Sequence, residues 1–98
     1  MSFYLRFTPT ALKALKELKE DRGLQKRYKA VTKSLKLLSE NPKHPSLQTH
    51  EYYSLRGPNS EKIFEAYAEH DTPAAYRIFF HYGPQKNEMT IFVITPHP

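Results

Sequence analysis

Apolar and polar residues alternate from Ser2 to Thr8, with Phe3, Leu5 and Phe7 on one side. That period predicts a short strand with one face on a core. Thr8-Pro9-Thr10 ends it, since either threonine can cap a helix and proline fits near a helix start. From Ala11 to Glu20 the period lengthens. Leu12, Leu15 and Leu18 recur with Ala11 and Ala14 on one helical face, and Lys13, Lys16, Glu17, Lys19 and Glu20 lie largely opposite. Gly23 predicts the helix end. A second helix is expected from Leu24 to Glu40, where Leu24, Tyr28, Val31, Leu35 and Leu38 make a continuous seam. Lys26, Arg27, Lys29, Lys33 and Lys36 cover its remaining surface, and Asn41-Pro42 closes it. The seam lasts only about two heptads, so a helical hairpin packed on a sheet fits better than a coiled coil.

Beyond the PKHP loop at 42–45, residues 46–55 (SLQTHEYYSL) are ambiguous between extended and irregular chain. Residues 56–60 (RGPNS) are a turn by composition. Three strands are then expected, at Lys62 to Glu69, Ala75 to Tyr82 and Met89 to Thr95, with turn-rich connections short enough for hairpins. The order β-α-α-β-β-β implies an α+β fold: an N-terminal strand, a helical hairpin and a three-stranded antiparallel meander. These form one mixed or antiparallel sheet with the helices on one face. The length of 98 residues fits a single domain spanning 1–98.

Strand periodicity sorts the meander's side chains. Phe64, Ala66 and Ala68 fall on one side of the first strand, suited to contact with helices, and Ile63, Glu65, Tyr67 and Glu69 on the other. In the second strand Tyr76, Ile78, Phe80 and Tyr82 are the more apolar set, which places Arg77, Phe79 and His81 on the open face beside Glu65 and Tyr67. An arginine amid aromatic residues is costly unless paired. Arg77 is therefore either a cross-strand partner of Glu65 or a functional cation.

Charge adds a second asymmetry. The net charge is +5, yet residues 1–43 hold eleven basic and four acidic side chains, and residues 44–98 hold four basic and six acidic. A basic half fits nucleic acid, a ribosome surface or an acidic protein, or simply a solubilising lysine coat. With no cysteine, disulfides, cysteine-ligated zinc, iron–sulfur clusters and thiol nucleophiles are excluded, and a reducing cytoplasm is the expected setting. The five histidines show no metal-ligand spacing, and no phosphate-cradling glycine motif occurs, so no metal or cofactor is expected. The longest aliphatic and aromatic run, Ile91-Phe92-Val93-Ile94, is far below the roughly 20 residues of a membrane span, and Arg6 and Pro9 interrupt any apolar leader.

Three segments carry a resemblance: Ala75-Tyr76-Arg77-Ile78-Phe79-Phe80, the turn Ser54-Leu55-Arg56-Gly57, and the tail Ile91 to Pro98 with its penultimate histidine. With the element order, they resemble the RelE/ParE superfamily of small toxins from type II toxin–antitoxin pairs. The resemblance implies a cognate antitoxin partner and, in the ribosome-dependent branch, cleavage of mRNA in the ribosomal A site. There the RNA 2′-hydroxyl attacks the adjacent phosphate and leaves a cyclic phosphate end. It makes Arg77 the phosphate clamp, His97 the general acid and Glu51, upstream of the turn, the candidate base. Lys26, Lys29, Lys33, Lys36, Arg56 and His81 become candidate RNA contacts, and Pro96 and Pro98 would bracket His97. The chain departs from the RelE branch in having Glu65 and Tyr67 where that branch has lysines. The resemblance leaves open a ParE-like, non-enzymatic inhibitor of DNA gyrase and a non-toxic binding module.

Overall fold

A computed structural model describes residues 2–97. Strand β1 (Tyr4–Phe7) leads into helix α1 (Pro9–Glu20) and, after a single 3-10 turn at Arg22–Leu24, helix α2 (Gln25–Glu40). A second 3-10 turn at Pro45–Leu47 precedes β2 (His50–Arg56), β3 (Lys62–Tyr67), β4 (Tyr76–Tyr82) and β5 (Glu88–Pro96). The five strands form one sheet in the order β1-β5-β4-β3-β2. β2 to β5 run antiparallel in sequence, and β1 lies parallel to β5 at the far edge. The sheet is mixed and the helices pack on one face, as expected. The meander has four strands instead of three, because the ambiguous stretch at 46–55 supplies the edge strand β2.

Local chemistry accounts for the helix limits. The Thr8 side chain accepts from the Ala11 N–H at 3.1 Å while its own hydroxyl donates to the Phe92 carbonyl at 2.8 Å. One residue thus caps α1 and ties it to β5. α1 ends at Glu20, earlier than Gly23 predicts, because Asp21 turns extended and its carboxylate accepts from the Gly23 N–H at 2.8 Å. On α2 the expected seam holds: Val31, Leu35 and Leu38 are buried and Leu24 and Tyr28 pack against the same core. Each such aliphatic side chain contributes roughly 1.5–3 kcal/mol on full burial. They meet Ala66, Ile78, Phe80, Met89, Ile91 and Ile94 from the sheet. Leu12 is the exception among the α1 leucines and remains exposed.

Two irregularities set the sheet's shape. In β5, Phe79 pairs with Val93 but Phe80 pairs with Ile91, so Phe92 is an extra residue. This bulge switches the parity of the strand. Ile91 and Ile94 both reach the core despite being three apart, and Val93 and Thr95 lie opposite Phe79 and Arg77 on the other face. In β2 the register slips between Glu51, opposite Phe64, and Arg56, opposite Lys62. The outer strand bows away there and leaves Tyr53 78% exposed. At its end, Gly57 sits where a Cβ would lie 2.3 Å from the Glu61 carboxylate. That carboxylate accepts from the Asn59 N–H at 2.8 Å, which holds the Glu61 carboxyl below its ordinary range. No described helix is long and apolar enough to cross a membrane.

Candidate functional site

The helix-free side of the sheet is built around a buried carboxylate. Glu65 on β3 is 2% exposed, a position that costs several kcal/mol for a charge without partners. Both its oxygens are engaged. Arg77 Nη1, from β4, donates to Oε2 at 2.5 Å, and His50 Nε2, from β2, lies 2.8 Å from Oε1. Three adjacent strands thus each contribute one member. The register explains the geometry: His50 is directly opposite Glu65, and Arg77 is opposite Tyr67, one diagonal step from Glu65. His50 is fixed further by Nδ1, 2.8 Å from the Gln48 carbonyl oxygen. The Tyr67 ring completes the cluster. The Arg77 guanidinium lies 4.7 Å from its centroid, and the His50 and His70 rings meet it at 5.8 Å, near perpendicular.

Beside this cluster lies an open cleft of about 830 Å³, whose lining includes Arg77, His97, His70, Glu69, Asp71 and Ser46. Its wall is the connection between β3 and β4, where Asp71 and Ala74 adopt positive φ. α2 holds that connection in place through Arg27. The guanidinium donates to the Ala74 and Pro73 carbonyls at 2.7 and 3.0 Å and pairs with Glu69 at 3.3 Å, and Glu69 also accepts from the Tyr76 N–H at 2.9 Å. The cleft's other side is the end of β5, where the His97 N–H donates to the Ala75 carbonyl at 2.8 Å and extends the β4–β5 ladder past Pro96. Pro98, the second expected bracket of His97, lies outside the described residues.

Arg77 and His97 therefore line one cleft. Glu51 does not join them. It stands opposite Phe64, which packs on the helix side, so the strand alternation turns Glu51 away from the face that carries Glu65. His81 shares a face with Arg77 but is 5% exposed, and its Nδ1 lies 3.1 Å from the Tyr82 carbonyl oxygen. It presents almost no surface to a ligand. Arg56 is exposed opposite Lys62, at the other end of β3 from Tyr67 and Arg77. Lys26, Lys29, Lys33 and Lys36 are all exposed along α2. Among the described residues no group of His, Asp and Glu is placed to hold a metal ion.

Three contributors escaped the sequence reading. His50 is invisible until 46–55 is paired with β3. By pattern alone Arg27 is one more cation on the surface of α2. His70 stands in a turn, and the available signal was its place between Glu69 and Asp71, just past the strand that carries Glu65 and Tyr67.

No family model matches the chain, and no curated protein matches it in sequence. Solved structures do match in fold. A YoeB/ParE toxin from Agrobacterium tumefaciens superposes with a TM-score of 0.70 at 8% identity, over 98% of this chain and 100% of that one. YoeB from Staphylococcus aureus, solved in complex with YefM, gives 0.67 at 15% identity over all of both chains. Archaeal RelE in the RelE–RelB complex from Pyrococcus horikoshii gives 0.65 at 14% identity, over 98% and 96%. The alignments span 96–100% of each chain, and this chain has the fold of the RelE and YoeB toxins.

Proposed function

We propose that this protein is the toxin of a type II toxin–antitoxin pair and acts in the cytoplasm as a ribosome-dependent mRNA endoribonuclease. The observation that carries the reading is the convergence of Arg77, from β4, and His97, just past the end of β5, on one open cleft of the sheet's helix-free side. Cleavage by the 2′-hydroxyl needs a cation on the phosphate and a proton donor for the leaving 5′-oxygen. Arg77 supplies the first. Its forked guanidinium suits phosphate, and its bond to Glu65 and contact with Tyr67 fix its direction. His97 supplies the second, because histidine alone among side chains ordinarily changes charge near neutral pH. The fold neighbours solved with RelB and YefM support a protein antitoxin as the partner here too.

The test is single-turnover cleavage of mRNA on programmed ribosomes. His97→Gln should slow cleavage by roughly 10²–10⁴-fold and leave ribosome binding unchanged. A wild-type protein that binds ribosomes without cutting would replace this reading with that of a binding module.

A further inference from the structure

Cyclising cleavage also needs a group that takes the proton from the 2′-hydroxyl. Of the carboxylates at or beside the cleft, Glu65 and Glu69 have oxygens tied to structural partners, and Asp71 stands in the exposed turn next to His70 as the competing candidate. Glu65 has one oxygen on Arg77 and the other on His50. Glu69 Oε1 holds the Tyr76 N–H and Arg27. Glu51 is on the opposite face of the sheet. Nor can His50 serve, because its two ring nitrogens face a carbonyl and a carboxylate oxygen and neither is left to receive a proton.

His70 is the side chain that the fold orients for this task. It lines the same cleft as Arg77 and His97. Its Nε2 is 2.7 Å from the Ser46 carbonyl oxygen. A carbonyl only accepts, so Nε2 carries the hydrogen and the neutral ring keeps its lone pair on Nδ1. Edge contact with Tyr67 at 5.8 Å fixes the ring from a second side. A backbone bond and an aromatic neighbour thus set the tautomer and orientation of an exposed imidazole.

We infer that His70 is the general base of the cleft, accepting the 2′-hydroxyl proton of bound RNA on Nδ1. The inference rests on the ribonuclease reading above. In the step, the 2′-O–H proton passes to His70 as the 2′-oxygen bonds to phosphorus. The bond from phosphorus to the 5′-oxygen breaks, and that oxygen takes a proton from the His97 imidazolium. The products are a cyclic phosphate and a free 5′-hydroxyl. Charge is conserved, since one imidazole gains the proton that the other loses. Around His70 the titratable and charged groups are Tyr67, Glu69 and Asp71 from β3 and its turn, Arg77 from β4 and His97 from the end of β5. Ser46 and Gln48 contribute neutral polar walls.

The experiment is the pH dependence of single-turnover cleavage on programmed ribosomes, with His70→Gln and His97→Gln beside the wild type. Glutamine can keep the donor to the Ser46 carbonyl while removing the base, which separates chemistry from structure. His70→Gln should lower the rate by roughly 10²–10⁴-fold and abolish the limb that rises with pH, while His97→Gln should abolish the limb that falls. A wild-type rate and an intact rising limb in His70→Gln would overturn the assignment and leave the ribonuclease reading standing, as would loss of that limb in Asp71→Asn. No cleavage by wild type would overturn both. Nitrogen-15 NMR of the imidazoles gives an answer without ribosomes. The Nε2–H tautomer of neutral His70 is expected, and the Nδ1–H tautomer would refute the role.

Discussion

Glu65 shows how a charge is kept inside a small sheet. It is nearly inaccessible, whereas the side chain of Arg77 is 22% exposed and that of His50 46%. Its two partners reach inward from wetter positions, so each loses less hydration than the carboxylate does. The two readings of Arg77, structural partner and phosphate clamp, are therefore compatible: the Glu65 bond positions the cation and the cleft exposes it. Arg77→Ala should cost about 1–3 kcal/mol in urea denaturation, because Glu65 would keep only His50. Removing Glu65 as well should recover part of that loss, and strictly additive effects would show that the pair is not coupled. The same Arg77→Ala protein should fail to cleave even where its melt shows it folded.

Between elements, the most consequential link is the strap from α2 to the β3–β4 connection. Arg27 holds two carbonyls and a carboxylate of a segment whose own backbone includes two residues at positive φ. That segment lies in the cleft wall and carries His70 and Asp71. Arg27→Ala should weaken local stability there by on the order of 1–2 kcal/mol. Faster amide exchange at residues 69–76, with the α2 core unaffected, is the expected signature. Exchange unchanged at those amides would mean that the turn holds itself. The helices themselves could be read from the chain because their period is local and, for α1, the Thr8 cap lies within a few residues. β2 could not be read in this way. Its residues Tyr52 to Leu55 sit at a register slip, where neither alternation nor helical spacing survives, and pairing with β3 alone makes them a strand.

Considered as a whole, the protein carries its basic charge and its cleft on different sides. The lysines of α2 point away from the core that α2 buries, and Arg77 faces the opposite side of the sheet. The molecule measures 36 × 28 × 28 Å. Its short dimension exceeds the Debye length of about 8 Å at physiological salt, so the two surfaces act separately on a polyanion. Changing Lys26, Lys29, Lys33 and Lys36 to Glu should abolish co-sedimentation with ribosomes and leave the fold intact, since all four lie off the apolar seam. Co-sedimentation unchanged at low salt would discard the idea. The charge division, the helical seam and the sorting of Glu65, Tyr67 and Arg77 onto one face were all legible from the chain, because each follows from composition or from a period repeated over neighbouring residues. The proximity of Arg77 to Glu65 could be expected on the same ground, as both sit on strands joined by a short connection. The fate of Glu51, the burial of His81, the parity switch at Phe92 and the gathering of Ser46, His70 and His97 around one cleft were not legible. Each depends on register between strands and on where loops close, and these are settled by the fit of distant side chains in a shared core, which no local pattern encodes.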